Sequence, residues 1–441
     1  MSPDQVAFHQ RARLQGAMVA AVAQSGYAGT TITQIVSLAG VSRSTFYKHF
    51  ADKEQCFLAT YDVIAAMATE RISRASRTPA DWQERLRAGF ECFAEIVLSE
   101  RDASHLVLVD ALGTGHRELD HRERLISTFE LMFRQSFQAA PRQAVVTDTT
   151  ILAIVFGLRR VAYRLLLRDK PERLNDVLED LLAWTIGYHA PGVEPPIRPP
   201  VMMSESASHL QQTLDDTTIP PLDPVKARTT HTHRERILHA VISLASEGGY
   251  PALSIPAISA RAGISNEAFY ENFTDKQHAF LTAFNDASKR VLTPAMHAFQ
   301  AAPNWPQAMR ETIATLLTLI TKDPIFARLA FFEILSGGPD SIGQAEETLS
   351  AVSAAFQPGY EEHPDVPRVV ADAITGGIWN IIQHEIGHGR VAQLPELTPE
   401  LTYIALTPFL GARQAARFAK KPNSPRKKPN GSRKKPDSSR A

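Results

Sequence analysis

The stretch Thr31–Phe50, TITQIVSLAGVSRSTFYKHF, has the pattern of two short helices joined by a tight turn. Its apolar face follows the helical spacing i, i+3, i+4 and i+7 and consists of Ile32, Ile35, Val36 and Ala39. Thr31 is placed to cap this helix, with Gln34 completing a capping box. Gly40 follows where a helix end favours a left-handed residue, and Ser42 is placed to cap the next helix. Two helices joined by so few residues must cross steeply, so the stretch predicts a helix-turn-helix.

The second of these helices carries side chains suited to nucleic acid. Phe46 and Phe50 share one face and are expected to be buried. The remaining positions combine cations, hydroxyls and a phenol, and are Arg43, Ser44, Thr45, Tyr47, Lys48 and His49. Phosphate oxygens and base edges are bound by groups of these kinds. We therefore expect this helix to contact double-stranded DNA.

The same pattern returns 223 residues later, in Ser254–Phe273, SIPAISARAGISNEAFYENF. Seven of the fourteen positions from Gly40 to Lys53 are identical to their counterparts from Gly263 to Lys276. A repeat at half the length of a 441-residue chain favours two similar halves over one large domain.

Both stretches resemble the DNA-binding head of the tetracycline-repressor (TetR) family. The resemblance rests on a Gly-Tyr pair, an AGVS or AGIS turn, the helix TFYKHF or AFYENF, and DKE or DKQ at the start of the next helix. It implies an all-α fold of two tandem TetR-like units, each a three-helix head with a helical regulatory domain around a ligand pocket. It also implies that the last two helices of each unit pack together, which would make the chain an intramolecular pseudo-dimer.

Sequence breaks set the expected domain boundaries. The heads are predicted at residues 1–55 and 231–278, the regulatory domains at 56–189 and 279–414, a Pro-rich linker at 190–230, and a disordered basic tail at 415–441. Helical periodicity dominates both regulatory domains. The tail is expected to attract DNA without regard to its sequence, with a purely solubilising role as the alternative.

The predicted DNA contacts of the first head fall into two classes. Base edges are assigned to Arg43, Ser44 and Thr45, and phosphates to Thr31, Ser42, Tyr47, His49 and Lys53, with Lys48 on the same surface. Lys53 is assigned to phosphate because a cation in the first turn of a helix opposes the helix dipole unless an anion approaches. The alternative is an ordinary surface lysine.

The second head differs from the first in charge. Arg43, Ser44, Lys48 and His49 are replaced by Asn266, Glu267, Glu271 and Asn272, which makes the surface acidic. Repulsion from phosphate favours a head that only completes the fold. Asn can nevertheless pair with adenine and Glu can accept from cytosine, which favours a reader of a directional, non-palindromic operator. The predicted contacts are Ser265, Asn266, Glu267, Tyr270, Asn272 and Lys276, and Arg234 and Arg236 just upstream also favour a reader.

Aromatic residues at helical spacing are the candidates for a ligand pocket. They are Trp82, Phe90, Phe93 and Phe156 in the first regulatory domain and Trp305, Phe331 and Trp379 in the second. Aromatic residues at this spacing are more often ordinary core, and that alternative stands for each of them. The residues do not identify the small-molecule ligand.

One short motif indicates a different chemistry. His384–His388, HEIGH, matches H-E-x-x-H, in which two histidines one helical turn apart bind zinc and the glutamate activates water. Gly387 and Gly389 disfavour the end of that helix, and the third ligand would have to be His363 or Glu361. The sequence therefore predicts no metal site, no cofactor and no enzymatic activity, with a zinc peptidase as the disfavoured alternative.

Composition limits the remaining possibilities. Lys and Arg together number 47, as do Asp and Glu. Residues 412–441 hold eleven cations and one acid, which leaves 36 cations against 46 acids elsewhere, so DNA affinity must come from local clusters. The two cysteines have no metal-ligand spacing, and no long apolar run is present. These features favour a cytoplasmic protein without a membrane segment.

Together these features predict a ligand-responsive, sequence-specific DNA-binding transcription regulator, with repression implied by the resemblance alone. The alternative is a ligand-binding partner protein that does not contact DNA. The residues leave open whether the chain associates further with itself.

Overall fold

In a computed structural model of the protein, the described residues are 2–111, 118–198 and 232–420. All regular secondary structure in these ranges is helical, which confirms the all-α prediction. The first unit contains α1 (Pro3–Gly29), α2 (Ile32–Ala39), α3 (Arg43–His49), α4 (Lys53–Arg77), α5 (Trp82–Ser99), α6 (Arg101–Leu108), α7 (Glu118–Gln138), α8 (Asp148–Leu167) and α9 (Leu178–Ile186). A 3₁₀ segment, Pro171–Val177, precedes α9.

The second unit repeats this order with a more broken regulatory domain. It contains α10 (His233–Gly248), α11 (Ile255–Ala262), α12 (Asn266–Tyr270), α13 (Lys276–Ala301), α14 (Trp305–Lys322), α15 (Pro324–Arg328), α16 (Ile334–Ser336), α17 (Pro339–Ser353), α18 (Gln357–Glu362), α19 (Val369–Gly387), α20 (Thr398–Leu410) and α21 (Ala412–Ala419). A π-helical turn, Leu329–Glu333, lies between α15 and α16. No helix in the described ranges is long and apolar enough to cross a lipid bilayer.

Side-chain caps begin the helices of each head. In the first head, Oγ1 of Thr31 accepts from the backbone N–H of Gln34 at 3.2 Å, and Oγ of Ser42 accepts from that of Thr45 at 3.0 Å. Gly40 ends α2 with φ of 58°, as the turn requires. The predicted capping box is not formed: the Gln34 side-chain oxygen lies 3.5 Å from the Ser25 hydroxyl, and its amide donates to Gln24 at 3.2 Å. The head therefore folds on short-range signals that the sequence contains twice.

The two units pack through α8 and α9 of the first against α19 of the second, with α20 also against α8. Glycines let the backbones of α8 and α19 approach closely. A Cβ on Gly157 would lie 2.8 Å from the carbonyl oxygen of Ala373, and one on Gly377 would lie 2.7 Å from that of Ala153. The helices at this contact are the last helices of the first regulatory domain and their counterparts in the second.

Polar contacts add to this packing. The buried Arg160 on α8 pairs with Glu346 on α17, with Nη2 and Oε2 2.7 Å apart. The phenol of Tyr188 donates to the carbonyl of Ile404 at 2.9 Å. Removing one member of a buried pair leaves an unpaired polar group, so these contacts make the relative position of the units specific.

The predicted tail boundary at residue 415 is wrong. Residues 412–419 form α21, which packs on α20 and α14, and its buried positions are Ala412, Ala415, Ala416 and Ala419. These alanines recur at helical spacing and form one apolar face. Because Arg413, Arg417 and Lys420 lie between and after them, the segment was assigned to the basic tail from its charges alone. The rest of the predicted tail, 421–441, and most of the predicted linker, 199–230, lie outside the described residues.

Candidate nucleic-acid interface

The first recognition helix, α3, presents its polar side chains to solvent. Phe46 and Phe50 are 0% and 1% exposed and form the base on which the helix rests. Arg43, Ser44 and Lys48 are exposed, and Tyr47 is 49% exposed. The predicted base-edge and phosphate contacts at these positions therefore share one accessible surface.

Three of the other predicted contacts are partly engaged within the head. The hydroxyls of Thr45 and Ser42 are 2.8 Å apart and hydrogen-bonded. Nε2 of the half-buried His49 lies 3.2 Å from the side-chain oxygen of Gln10 on α1. Burial, followed by the nearby Arg11 and Lys48, lowers the pKa of His49 below its ordinary value. In the absence of DNA this shift favours the neutral form of His49.

Lys53 has a structural role that sequence reasoning missed. Its ammonium donates to the carbonyls of Tyr27 at 2.8 Å and Thr30 at 3.0 Å, and lies 4.3 Å from the centre of the Tyr27 ring. Partial burial lowers the pKa of Lys53. These contacts tie the start of α4 to the junction of α1 and α2, so Lys53 helps to hold the helices of the head together. A phosphate contact through its remaining N–H stays a prediction.

The same clamp is present in the second head. The ammonium of Lys276 donates to the carbonyl of Leu253 at 3.0 Å and lies 4.7 Å from the ring of Tyr250. Tyr250 packs on Phe280 with ring centres 4.9 Å apart, as Tyr27 packs on a phenylalanine of α4 at 4.7 Å. The 223-residue offset was the available signal, because it aligns the Tyr and the Lys of both clamps.

Paired arginines on the first helix of each head brace the turn. In the first head the Arg11 guanidinium lies 4.5 Å from the Phe50 ring, and Arg13 donates to the carbonyl of Gly40 at 3.1 Å. In the second, Arg234 lies 4.8 Å from the Phe273 ring, and Arg236 donates to the carbonyl of Ala262 at 2.9 Å. Arg236 is 6% exposed, so it gives no support to phosphate binding by the second head.

The second recognition helix, α12, is shorter and acidic but equally accessible. Asn266, Glu267 and Glu271 are exposed, and Tyr270 is 59% exposed. Ser265 caps the helix by accepting from the N–H of Ala268 at 3.1 Å. Asn272 is half-buried and its amide donates to the carbonyl of Ala268 at 2.8 Å, so this predicted contact is turned toward its own helix.

A cavity of about 130 Å³ lies inside the first regulatory domain, walled by α4 to α8. The wall is mostly apolar and includes Phe90 and Phe93. Arg122 and Ser104, each 6% exposed, bring polar groups to it. Its lining combines apolar walls with a few polar groups, which is the composition common in small-molecule sites.

The other predicted pocket aromatics lie away from this cavity. Trp82 packs against His189 with ring centres 4.6 Å apart, and Phe156 is 1% exposed in the core. In the second unit Trp305 packs against Phe409 at 5.0 Å, and Phe331 against Trp379 at 4.1 Å. These side chains fill core, which was the alternative kept for each of them.

The glutamate of the HEIGH segment is not positioned as a peptidase base. Glu385 is 3% exposed, and its carboxylate accepts from Arg390 at 2.9 Å and from Arg198 at 2.8 Å. Burial alone would raise the pKa of Glu385, but the hydrogen bonds from the two guanidiniums lower it to about 2. A carboxylate held in this way has no tendency to take a proton from water.

Comparison with known proteins finds similarity to bacterial transcription regulators. The sequence profile described as "Bacterial regulatory proteins, tetR family" matches residues 17–60 and 237–282. The HTH-type transcriptional repressor KstR of Rhodococcus jostii is 24% identical over 185 residues, covering 41% of this chain and 86% of that protein. KstR of Mycolicibacterium smegmatis is 23% identical over 145 residues, covering 32% and 71%. A solved structure of the fatty acid degradation regulator FadR from Bacillus halodurans covers 41% of this chain and 98% of its own, at 14% identity and a TM-score of 0.36.

Proposed function

Because this chain belongs to the tetR family of bacterial regulatory proteins and contains the family's DNA-binding domain twice, we propose that its two unlike heads read an asymmetric operator. As a member of that family the protein is a DNA-binding transcription regulator and not an enzyme. The observation that carries the proposal is that both recognition helices are exposed and differ in charge. Arg43 and Lys48 on α3 favour guanine and phosphate, whereas Asn266 and Glu267 on α12 favour adenine and cytosine.

The packing between the units supports an intramolecular pseudo-dimer. In this arrangement α8, α9, α19 and α20 take the place of the contact between two separate subunits, and one chain carries both heads. Recognition helices of paired heads enter successive major grooves about 34–36 Å apart, or a multiple of that spacing. A fixed pairing of unlike heads therefore selects two unlike half-sites in a set order and at a set separation.

The cavity supports control by a small ligand. Helix α4 lines the cavity at Ile64 and Ile72 and begins at Lys53, which is bonded to the junction of α1 and α2 in the head. A ligand that displaces α4 would move the head and change the spacing of the recognition helices, which lowers DNA affinity. The KstR relatives are named repressors, whereas the relative FasR of Mycolicibacterium smegmatis is named an activator. The KstR proteins match a longer part of this chain, which favours repression in the absence of ligand and release on binding. We place this activity in the cytoplasm, where the chromosome of a bacterium lies.

Selection of binding sites from random duplexes by the full-length chain tests the proposal. We expect an enriched site with two different half-sites whose centres are separated by about 10 base pairs or a multiple. A palindromic site would contradict the asymmetric reading, and a single half-site would assign DNA binding to one head. If no sequence is enriched, the protein is instead a ligand-binding partner that does not contact DNA.

The basic C-terminal residues are expected to add salt-dependent affinity. Deleting residues 421–441 removes eight cations and one acid. The slope of log affinity against log salt falls by about 0.9 for every phosphate that a cation no longer neutralises, so the truncated protein should bind with a shallower slope. Fluorescence anisotropy over a series of salt concentrations measures this, with replacement of the segment by uncharged residues of equal length as the control. An unchanged slope would leave the segment a solubilising role only.

A further inference from the structure

Three potential metal ligands from the two units converge on one point. Glu123 lies on α7 of the first unit, and His384 and His388 lie at the end of α19 of the second. Oε2 of Glu123 is 3.4 Å from Nδ1 of His384, and Oε1 is 3.6 Å from Nε2 of His388. All the ligand atoms fall within 4.8 Å of one another. We propose that these residues bind a divalent transition metal, best Zn²⁺, that links the two units.

The spacing suits a metal better than direct ion pairing. Ligand atoms of tetrahedral zinc at 2.0–2.1 Å lie about 3.3 Å from each other. Elsewhere in this protein, histidine and carboxylate that bond directly are closer, as in His121 with Asp62 and His105 with Asp110, both at 2.6 Å. In the cluster the carboxylate stands 3.4 and 3.6 Å from the two imidazoles, which leaves room for an ion between them.

The His388 ring is oriented as in histidines that bind metals. Its Nδ1 lies 2.8 Å from the carbonyl oxygen of His384. A carbonyl only accepts, so Nδ1 carries a hydrogen, and in the neutral imidazole Nε2 is then the nitrogen whose lone pair faces Glu123. A hydrogen bond from the second ring nitrogen to a carbonyl is the usual support of a metal-bound histidine.

The surroundings favour a three-ligand site with an open position. The His384 side chain is 13% exposed and its ring lies 6.3 Å from that of Phe156, whereas Glu123 and His388 are 40% and 35% exposed. Water can therefore complete the coordination from the solvent side. Glu385 is directed to Arg390 and Arg198, so a metal here lacks the base of a zinc peptidase. We therefore assign the metal a structural or regulatory role.

Metal binding at this point would couple the cavity to the second unit. Helix α7 supplies Glu123 from one turn and the cavity-lining residues Arg122, Ile126 and Phe129 from neighbouring positions. A metal that joins α7 to α19 would restrain one wall of the cavity and stabilise the contact between the units. The site itself does not depend on the proposed DNA-binding function.

Titration of the full-length chain with Zn²⁺ tests the site. After treatment with a chelator and its removal, we expect one Zn²⁺ per chain by calorimetry, and visible absorption of tetrahedral intensity when Co²⁺ replaces it. Glu123→Gln and His388→Gln should weaken binding by about 100-fold or more, since loss of even an outer-shell partner costs 10–100-fold. His297→Gln, on an exposed position of α13, is the matched control.

Thermal denaturation provides a second measurement. Zn²⁺ should raise the Tm of the unaltered chain and of His297→Gln, and should leave that of Glu123→Gln unchanged, because only a ligand of the folded state stabilises it. Glu123 is partly exposed, so Glu123→Gln is expected to fold. Absence of stoichiometric Zn²⁺, or binding that Glu123→Gln does not weaken, would overturn the assignment. Neither result would bear on DNA binding, which the duplex selection measures separately.

Discussion

Reversing two charges on the first recognition helix, Arg43→Glu together with Lys48→Glu, should abolish specific operator binding and leave the fold intact. Both side chains are exposed, and the Arg43 guanidinium lies 5.9 Å from the ring of Tyr47, also an exposed residue. Removing one base contact costs about 1–3 kcal/mol, and a carboxylate beside phosphate adds repulsion. Affinity for the selected operator should therefore fall by at least about 100-fold, as measured by fluorescence anisotropy.

A matched double reversal separates this effect from net charge. Arg168→Glu with Lys170→Glu changes the chain by the same charge at exposed positions after α8 and should reduce affinity much less. The Tm of both variants should stay near that of the unaltered chain. If the α3 variant keeps its affinity and specificity, α3 is not the principal reader.

The converse change reports on the second head. Glu271→Lys on the accessible end of α12 should increase affinity and steepen the salt dependence by about one phosphate contact if this head lies against DNA. An unchanged salt dependence would mean that the second head completes the fold without contacting DNA.

The second large effect is expected at Glu385, whose replacement by Gln should lower the free energy of unfolding by about 3–5 kcal/mol. The carboxylate is 3% exposed and is the shared partner of Arg390 and Arg198, which are themselves largely buried. Removing its charge takes the shared hydrogen-bonded carboxylate from two largely buried guanidiniums, although Glu400 and Glu396 still act on Arg198. Urea denaturation of the full chain measures the change, and Glu362→Gln, at an exposed position, is the control.

The ion pairs of Glu385 with Arg390 and Arg198 predict that stability depends on pH. The folded pKa of Glu385 is lowered to about 2 from its ordinary value of 4.5. A lowered carboxyl pKa contributes stability that is complete above the unfolded value and is lost as the pH falls toward the folded value. The difference in stability between the unaltered chain and Glu385→Gln should therefore shrink as the pH falls below about 4.5. A constant difference would show that the ion pair is not its source.

Short-range sequence patterns were sufficient to predict the two helix-turn-helix heads. The caps at Thr31 and Ser42, the turn at Gly40 and the buried Phe46 each depend on residues within about one helical turn, so the sequence predicted them from one stretch. The repeat supplied the second head by the same reasoning. Once Phe46 and Phe50 were assigned to the buried face of α3, its remaining positions could be predicted to be exposed.

The side chains that hold the heads could not be placed in this way. Lys53 and Arg13 are cations of the kind that bind DNA phosphates. Whether each charge faces a phosphate or a backbone carbonyl depends on how the helices of the head pack. The ligand cavity posed the same difficulty, because an aromatic at helical spacing can line a void or fill one. Phe93 lines the cavity whereas Trp82 packs against His189, and this difference arises from the packing of the helices.

The amino-acid sequence by itself determined the all-α class, the two helix-turn-helix heads and the opposite charges of their recognition helices, because these are properties of neighbouring residues. Only the tertiary structure decided which charges are buried and which groups meet across the two units. Glu385 met Arg198 rather than a zinc-bound water, and Glu123 met His384 and His388. Such contacts join residues far apart in the chain, so they depend on how the two units pack together and not on a pattern of neighbouring residues.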